Sequence, residues 1–214
     1  MTEEFQKIID DDRDTRKKHS WSGKLLEYLE LLKKNPDIAC LAHKRLYNLI
    51  ISKGVREIDP EADPKHKRLY RGERIRVFDF FVDDFYGMEK TLNQIVRYFH
   101  SASLKGEESR QVLYLVGPVG SGKSSLVETM KRGLEKGGLI YTIEGCPIHE
   151  EPMHLIPRHL RTEFSKMLGV EIEGDLCPVC RYRLKEDFQG RWEDMPVQTC
   201  EFSIRARRGI GVVP

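Results

Sequence analysis

The feature that most constrains this chain is a run of eight residues, Gly117-Pro118-Val119-Gly120-Ser121-Gly122-Lys123-Ser124. It matches the spacing G-x-x-x-x-G-K-[ST], the Walker A pattern, and each fixed position has a physical cause. The glycines let the backbone curl so that successive N–H groups point inward at an anion. A helix opening at the end of the run adds its positive N-terminal end. Lys123 supplies a mobile charge for β- and γ-phosphates, the Ser124 hydroxyl suits magnesium, and Ser125 with the loop amides completes the cradle. The run therefore predicts binding of a nucleoside triphosphate, with ATP and Mg2+ as the expected ligands.

Its surroundings support the same reading. Residues 112–116 (VLYLV) suit a parallel strand buried on both faces. Residues 124–135 are patterned as a helix that Gly137-Gly138 would stop. Residues 139–143 form a second short apolar run. Strand, loop, helix, strand is an α/β unit. The expected fold class is α/β, a P-loop NTPase core preceded by an N-terminal helical segment.

Upstream, Leu25, Tyr28, Leu29 and Leu32 share one helical face. Asn35-Pro36 ends that helix, and a second stripe runs through Ile38, Leu41, Ala42, Leu46 and Leu49 to Gly54. The pair reads as a helical hairpin. Residues 56–76 are charged, carry two prolines and mark a domain boundary. Residues 77–82 (VFDFFV) read as extended, and 88–101 as a helix burying Leu92, Ile95, Val96 and Phe99. Residues 158–168 form a further helix ending at Gly169. The expected organisation is a charged tail over 1–20, a helical segment and linker over 21–75, and the P-loop core over 76–214.

Composition limits the function classes. A net charge of +2 gives no electrostatic argument for nucleic acid or an anionic membrane. No apolar run approaches the ~20 residues needed to span a bilayer. The charged N-terminus lacks the apolar stretch of a secretory signal, so a cytoplasmic location is expected. The five cysteines are then expected as reduced thiols or metal ligands.

A magnesium-positioning acid after the loop is harder to find. Asp83-Asp84 lies before it, Glu144-Gly145 reads poorly as an acidic motif, and Lys185-Glu186-Asp187 has no apolar strand ahead of it. Cys177-Pro178-Val179-Cys180 has the spacing of half a zinc site. Cys200 is the candidate third ligand, and His149, His154 or His159 a fourth. A tight turn with reduced thiols is the alternative. The basic run Arg205, Arg207 and Arg208 reads as a solvated loop, or as an arginine finger toward a neighbour in a homo-oligomer.

The stretch Asp84-Phe85-Tyr86-Gly87-Met88-Glu89, followed by a helix and by VLYLVGPVGSGKSSLVETMK, resembles the AAA+ ATPase core. Together with Glu144-Gly145-Cys146-Pro147-Ile148-His149-Glu150-Glu151-Pro152 and Leu176-Cys177-Pro178-Val179-Cys180-Arg181-Tyr182, it resembles the PrkA family of bacterial serine protein kinases from about Trp21 to Pro214. That resemblance implies an ATP-binding module of a serine/threonine protein kinase, a phosphotransferase acting on a protein substrate. It also implies that the chain is the opening part of a longer protein, with the second acidic motif beyond it. Phe85, Tyr86 and Gly87 would then border the adenine base. Kinase motifs are not visible in these residues. Two other readings stay open: an AAA+ ATPase driving protein remodelling or proteolysis, and a non-catalytic, nucleotide-dependent interaction module.

Overall fold

A computed structural model describes residues 5–11, 20–59, 68, 70 and 74–201. In chain order the elements are β1 (Ser22–Lys24), α1 (Leu25–Lys34), α2 (Ala42–Ser52), β2 (Val55–Ile58), β3 (Ile75–Phe78), α3 (Glu89–Ser103), α4 (Lys123–Lys136), β4 (Leu139–Ile143), α5 (Arg161–Leu168), α6 (Pro178–Glu186) and β5 (Pro196–Glu201). Residues 5–11 of the charged tail are helical as well. The elements gather into two compact units that interleave along the chain. One is built from positions up to 39 and from 138 onward, the other from 40–137.

The first unit is organised on a three-stranded antiparallel sheet with β5 between β1 and β4. Ser22 pairs with Gln198, and Ile143 with Val197. The apolar stripe of α1 closes this unit: Leu25, Tyr28, Leu29 and Leu32 are all buried. They meet Ile143, Met153, Leu155, Ile156, Met195 and Val197 in one core. The Tyr28 ring lies 5.2 Å from that of Tyr141, and its hydroxyl donates to Glu151 Oε1 at 2.6 Å. Each such aliphatic side chain contributes about 1.5–3 kcal/mol on leaving water. The 3.6-residue period of this stripe is therefore enough to decide which way α1 faces.

The second unit packs α2 and α3 together, with α4 against α2 and the β2–β3 hairpin against α3. α3 buries Leu92, Ile95, Val96, Phe99 and Ala102. α4 buries Leu126, Thr129, Met130 and Leu134. Gly133 lies where α4 passes close to Phe80 and Leu49. A Cβ there would stand 2.6 Å from Phe80 Cζ and 2.9 Å from Leu49 Cδ2. The missing side chain lets the helix seat on the Phe80 ring.

Several expectations change. Residues 112–116 have no regular structure and enter no ladder among the described residues, and Val112, Tyr114 and Val116 are 90%, 83% and 81% exposed. Leu113 and Leu115, on the opposite side of the run, are half-buried. A strand buried on both faces needs neighbours for its backbone groups and cover for both sides. Apolar composition signals that need without supplying the neighbours. The 139–143 strand does form, but antiparallel to β5 and in the other unit from the loop helix. The two N-terminal helices are not a hairpin, since α1 joins the first unit and α2 the second. The charged connector is no unit boundary either. The strands flanking it pair with each other, Val55 with Phe78 and Ile58 with Ile75.

Past residue 169 the chain is more ordered than its pattern suggested. Gly169 ends α5 in the left-handed conformation at φ +67°. α6 then starts with Pro178 in its first turn, and the Cys177 sulfur accepts from the Cys180 N–H at 3.3 Å. Proline is suited to that position because its missing N–H would be unpaired there anyway.

Candidate functional site

The loop at 117–124 is shaped by its own residues. Gly120 and Gly122 hold φ near +81° and +80°, a left-handed conformation that side-chain-bearing residues avoid. Gly122 is also the cap of α4, and no side chain bonds the first-turn amides of that helix. Those N–H groups and the positive helix end remain available to an anion. Lys123 Nζ donates to the carbonyl oxygens of Gly117 at 2.7 Å and Pro118 at 2.6 Å, and to Ser121 Oγ at 3.0 Å. The ammonium therefore lies across its own loop on neutral acceptors. Phosphate oxygens make stronger, charge-assisted bonds to such a donor. Ser124 and Ser125 are exposed. This donor set, amides with one mobile cation and a free hydroxyl, fits a polyphosphate with a hard cation.

The segment before α3 is tied to the same helix. Asp84 Oδ2 accepts from Thr129 Oγ1 at 2.6 Å and from Arg132 Nη2 at 3.4 Å. This pin brings Phe85 to the loop: a Cβ on Gly122 would stand 3.6 Å from Phe85 Cε1 and 3.7 Å from Met88 Sδ. Phe85 is half-buried and edge-on to Phe81 at 6.1 Å. Tyr86 is 68% exposed, and Gly87 turns the chain at φ +76° into α3. Phe85 and Met88 are thus the side chains beside the loop, and Met88 is one that sequence reasoning passed over.

The acids weighed in the sequence go elsewhere. Asp84 is held by Thr129 and Arg132. Glu144, Glu186 and Asp187 belong to the first unit, not to that of the loop. Asp187 lies 3.9 Å from Arg183, and Glu186 lies 3.5 Å from Lys185. Arg205, Arg207 and Arg208 fall outside the described residues.

A second constellation forms in the first unit. Cys146, Glu150, Cys177 and Cys180 each present a ligand atom, and these atoms all lie within 4.8 Å of one another. Cys146 follows the turn after β4, while Cys177 and Cys180 open α6. Glu150 is only 5% exposed. Its Oε1 accepts from the Cys177 N–H at 2.8 Å and meets His154 Nδ1 at 3.2 Å. Its backbone N–H donates to Cys146 Sγ at 3.4 Å. Burial alone would push the Glu150 carboxyl up, but hydrogen bonds from His154, from the Cys177 thiol and amide, and from Cys180 outweigh it and hold it below its ordinary value. Burial and the neighbouring thiols of Cys146 and Cys177 push the Cys180 thiol far up.

This grouping corrects the expected ligand set. Cys200 is not part of it. Cys200 lies on β5, paired with Ile140, and its sulfur is 3.6 Å from His149 Nδ1. Cys146 and Glu150 stand beside Cys177 and Cys180, where Cys200 and a histidine were expected. His154 reaches the cluster only through Glu150. The overlooked signal was the C-x-x-x-E spacing of Cys146 and Glu150, which carries meaning only once the chain has turned back on itself.

Comparison with known proteins gives a consistent picture. The family profile described as the PrkA AAA domain matches residues 23–214. The chain is 39% identical over 211 residues to the ATP-dependent protease PrkA of Bacillus subtilis (strain 168), covering 96% of this chain and 31% of that protein. It is 39% identical over 102 residues to the serine/threonine kinase YeaG of Escherichia coli (strain K12), covering 46% of this chain and 16% of that one. The Lon protease of Syntrophus aciditrophicus (strain SB) is 32% identical over 112 residues, covering 52% of this chain and 14% of the relative. The chain thus spans less than a third of the length of these relatives. No solved structure matches it. No helix among the described residues is long and apolar enough to cross a membrane.

Proposed function

The chain belongs to the PrkA AAA domain family, and from that premise we propose that this AAA-type ATPase module holds ATP through Gly117, Pro118, Val119, Gly120, Ser121, Gly122, Lys123, Ser124 and Ser125. The observation that carries the reading is the loop itself: two left-handed glycines lead into a helix whose first turn has no side-chain cap. Lys123 would exchange its carbonyl partners for phosphate oxygens. The Ser124 hydroxyl would hold magnesium, which when bound neutralises phosphate charge. Phe85 would offer the base an aromatic edge beside Gly122, with Tyr86 and Gly87 bordering it.

The relatives' names support two readings of what ATP is used for. A relative matched over 96% of this chain is named an ATP-dependent protease, and Lon proteases recur. An ATPase module serving protein remodelling or proteolysis is therefore the leading reading. The second is serine/threonine phosphorylation, supported by the name of the Escherichia coli relative. Both use the same loop.

Titration of the purified chain with ATP and GTP, with and without magnesium, tests the binding claim. ATP binding should strengthen with magnesium, and Lys123→Ala should weaken it about ten- to hundredfold, the loss of one or more charge-assisted bonds. Equal affinity in the variant would remove the loop from the site. In a full-length relative carrying this module, γ-labelled ATP decides between the two uses. Label on a protein serine supports the kinase, and label released only as free phosphate supports the motor.

A further inference from the structure

The geometry points to a structural Zn2+ site in the first unit, with Cys146, Cys177 and Cys180 as sulfur ligands and Glu150 as the oxygen ligand. Cys146 Sγ lies 3.9 Å from Cys177 Sγ and 3.9 Å from Glu150 Oε2. Neighbouring sulfurs around a tetrahedral zinc, bonded at about 2.3 Å each, stand about 3.8 Å apart. A disulfide would need sulfurs about 2.05 Å apart, and three cysteines cannot all pair among themselves. Cys146, Cys177 and Cys180 form no disulfide. Three thiols and a carboxylate gathered in one largely buried spot offer donors that a divalent cation binds as thiolates, the cation offsetting the charge that deprotonation creates.

The surrounding residues are arranged as supports. Glu150 uses Oε1 for the Cys177 N–H and His154 Nδ1, which leaves Oε2 turned toward Cys146. Outer hydrogen bonds of this kind fix a ligating carboxylate in one orientation. His154 is thus a positioning residue. Cys177 and Cys180 occupy the first turn of α6, whose N-terminal end favours thiolates. His149 holds φ +52°, a left-handed value rare for a residue with a side chain, and it turns the chain so that Glu150 comes back over Cys146. An ion here would join the end of β4, the 146–150 turn and the start of α6, three segments that no ladder connects. Such a closed four-ligand set has no open position and is structural in kind.

The test is metal analysis of the whole chain purified from zinc-supplemented growth without chelators. One zinc per chain is expected. Replacing Zn2+ by Co2+ should give a sulfur-to-cobalt charge-transfer band and the intense visible bands of a tetrahedral complex, a readout that needs no variant. Cys177→Ser and Glu150→Gln should lose the metal, while Cys200→Ser keeps it. His154→Ala should retain the metal at affinity lowered about 10- to 100-fold against a competing chelator. A wild-type chain without zinc that also fails to take up Co2+ would overturn the site. So would zinc retained by Cys177→Ser, or a mass spectrum showing two of the three cysteines joined by a disulfide in the folded chain.

Discussion

The glycine-rich loop and the thiol cluster are opposite kinds of candidate site. The loop is contiguous over 117–124, open to solvent, and shaped by glycines that act within a few residues of themselves. The cluster draws Cys146 and Glu150 from one segment and Cys177 and Cys180 from another, and buries all but Cys177, which is half-buried. A contiguous site can be read from spacing because backbone conformation and function share the same residues. An assembled site depends on where a sheet and a helix bring the chain together, so its members carry no common local signal. The sequence reading named all of the loop, yet only half of the cluster.

The sharpest way to break that contrast is to strike the core beneath the cluster. Leu32 is fully buried in the first unit, and Leu32→Ala should cost about 2–5 kcal/mol in urea unfolding. Labelling of the buried Cys146 and Cys180 by a thiol reagent should rise with it. Labelling at the wild-type rate in a destabilised variant would show that the cluster is held locally after all.

A smaller effect is expected at Gly133, on the helix that the loop opens. An added methyl gains up to about 1 kcal/mol of helix propensity but meets the Phe80 ring, and overpacking costs about 1–3 kcal/mol. Gly133→Ala should therefore destabilise the chain by about 1 kcal/mol while ATP affinity stays within a few-fold of wild type. A large loss of affinity would mean that the loop's geometry is imposed by packing and not by its own glycines.

The smallest effect is a pH response in the same unit. His43, half-buried beside Tyr98 and Phe99, has its pKa lowered by burial. As pH falls through about 6.5, the unfolded chain takes up a proton that the folded one refuses, so stability falls with pH until the folded pKa is passed. Urea midpoints between pH 7.5 and 5.5 should drop more for wild type than for His43→Gln. An equal drop would remove His43 as the cause.

Legibility followed the range of the interaction. The stripe Leu25, Tyr28, Leu29 and Leu32 was readable because helical period and burial coincide, and the α3 stripe of Leu92, Ile95, Val96 and Phe99 likewise. Residues 112–116 misled because apolar content reports a preference for burial and says nothing about which strands supply it. α6 and β5 were missed because charged residues dominate 181–186, and because β5 takes its place only by pairing with β1 and β4.

By itself, then, the sequence determined the glycine-shaped turn at 117–124, the faces of the amphipathic helices and membership in an AAA-type family. These are properties set by residues a few positions apart, or by similarity along the chain. The tertiary structure decided that the chain closes into two interleaved units, that the strand at 139–143 pairs antiparallel, and that Cys146 and Glu150, not Cys200, meet Cys177 and Cys180. Those outcomes rest on contacts between segments far apart in sequence, where loop closure and core packing choose among partners that local pattern leaves equal.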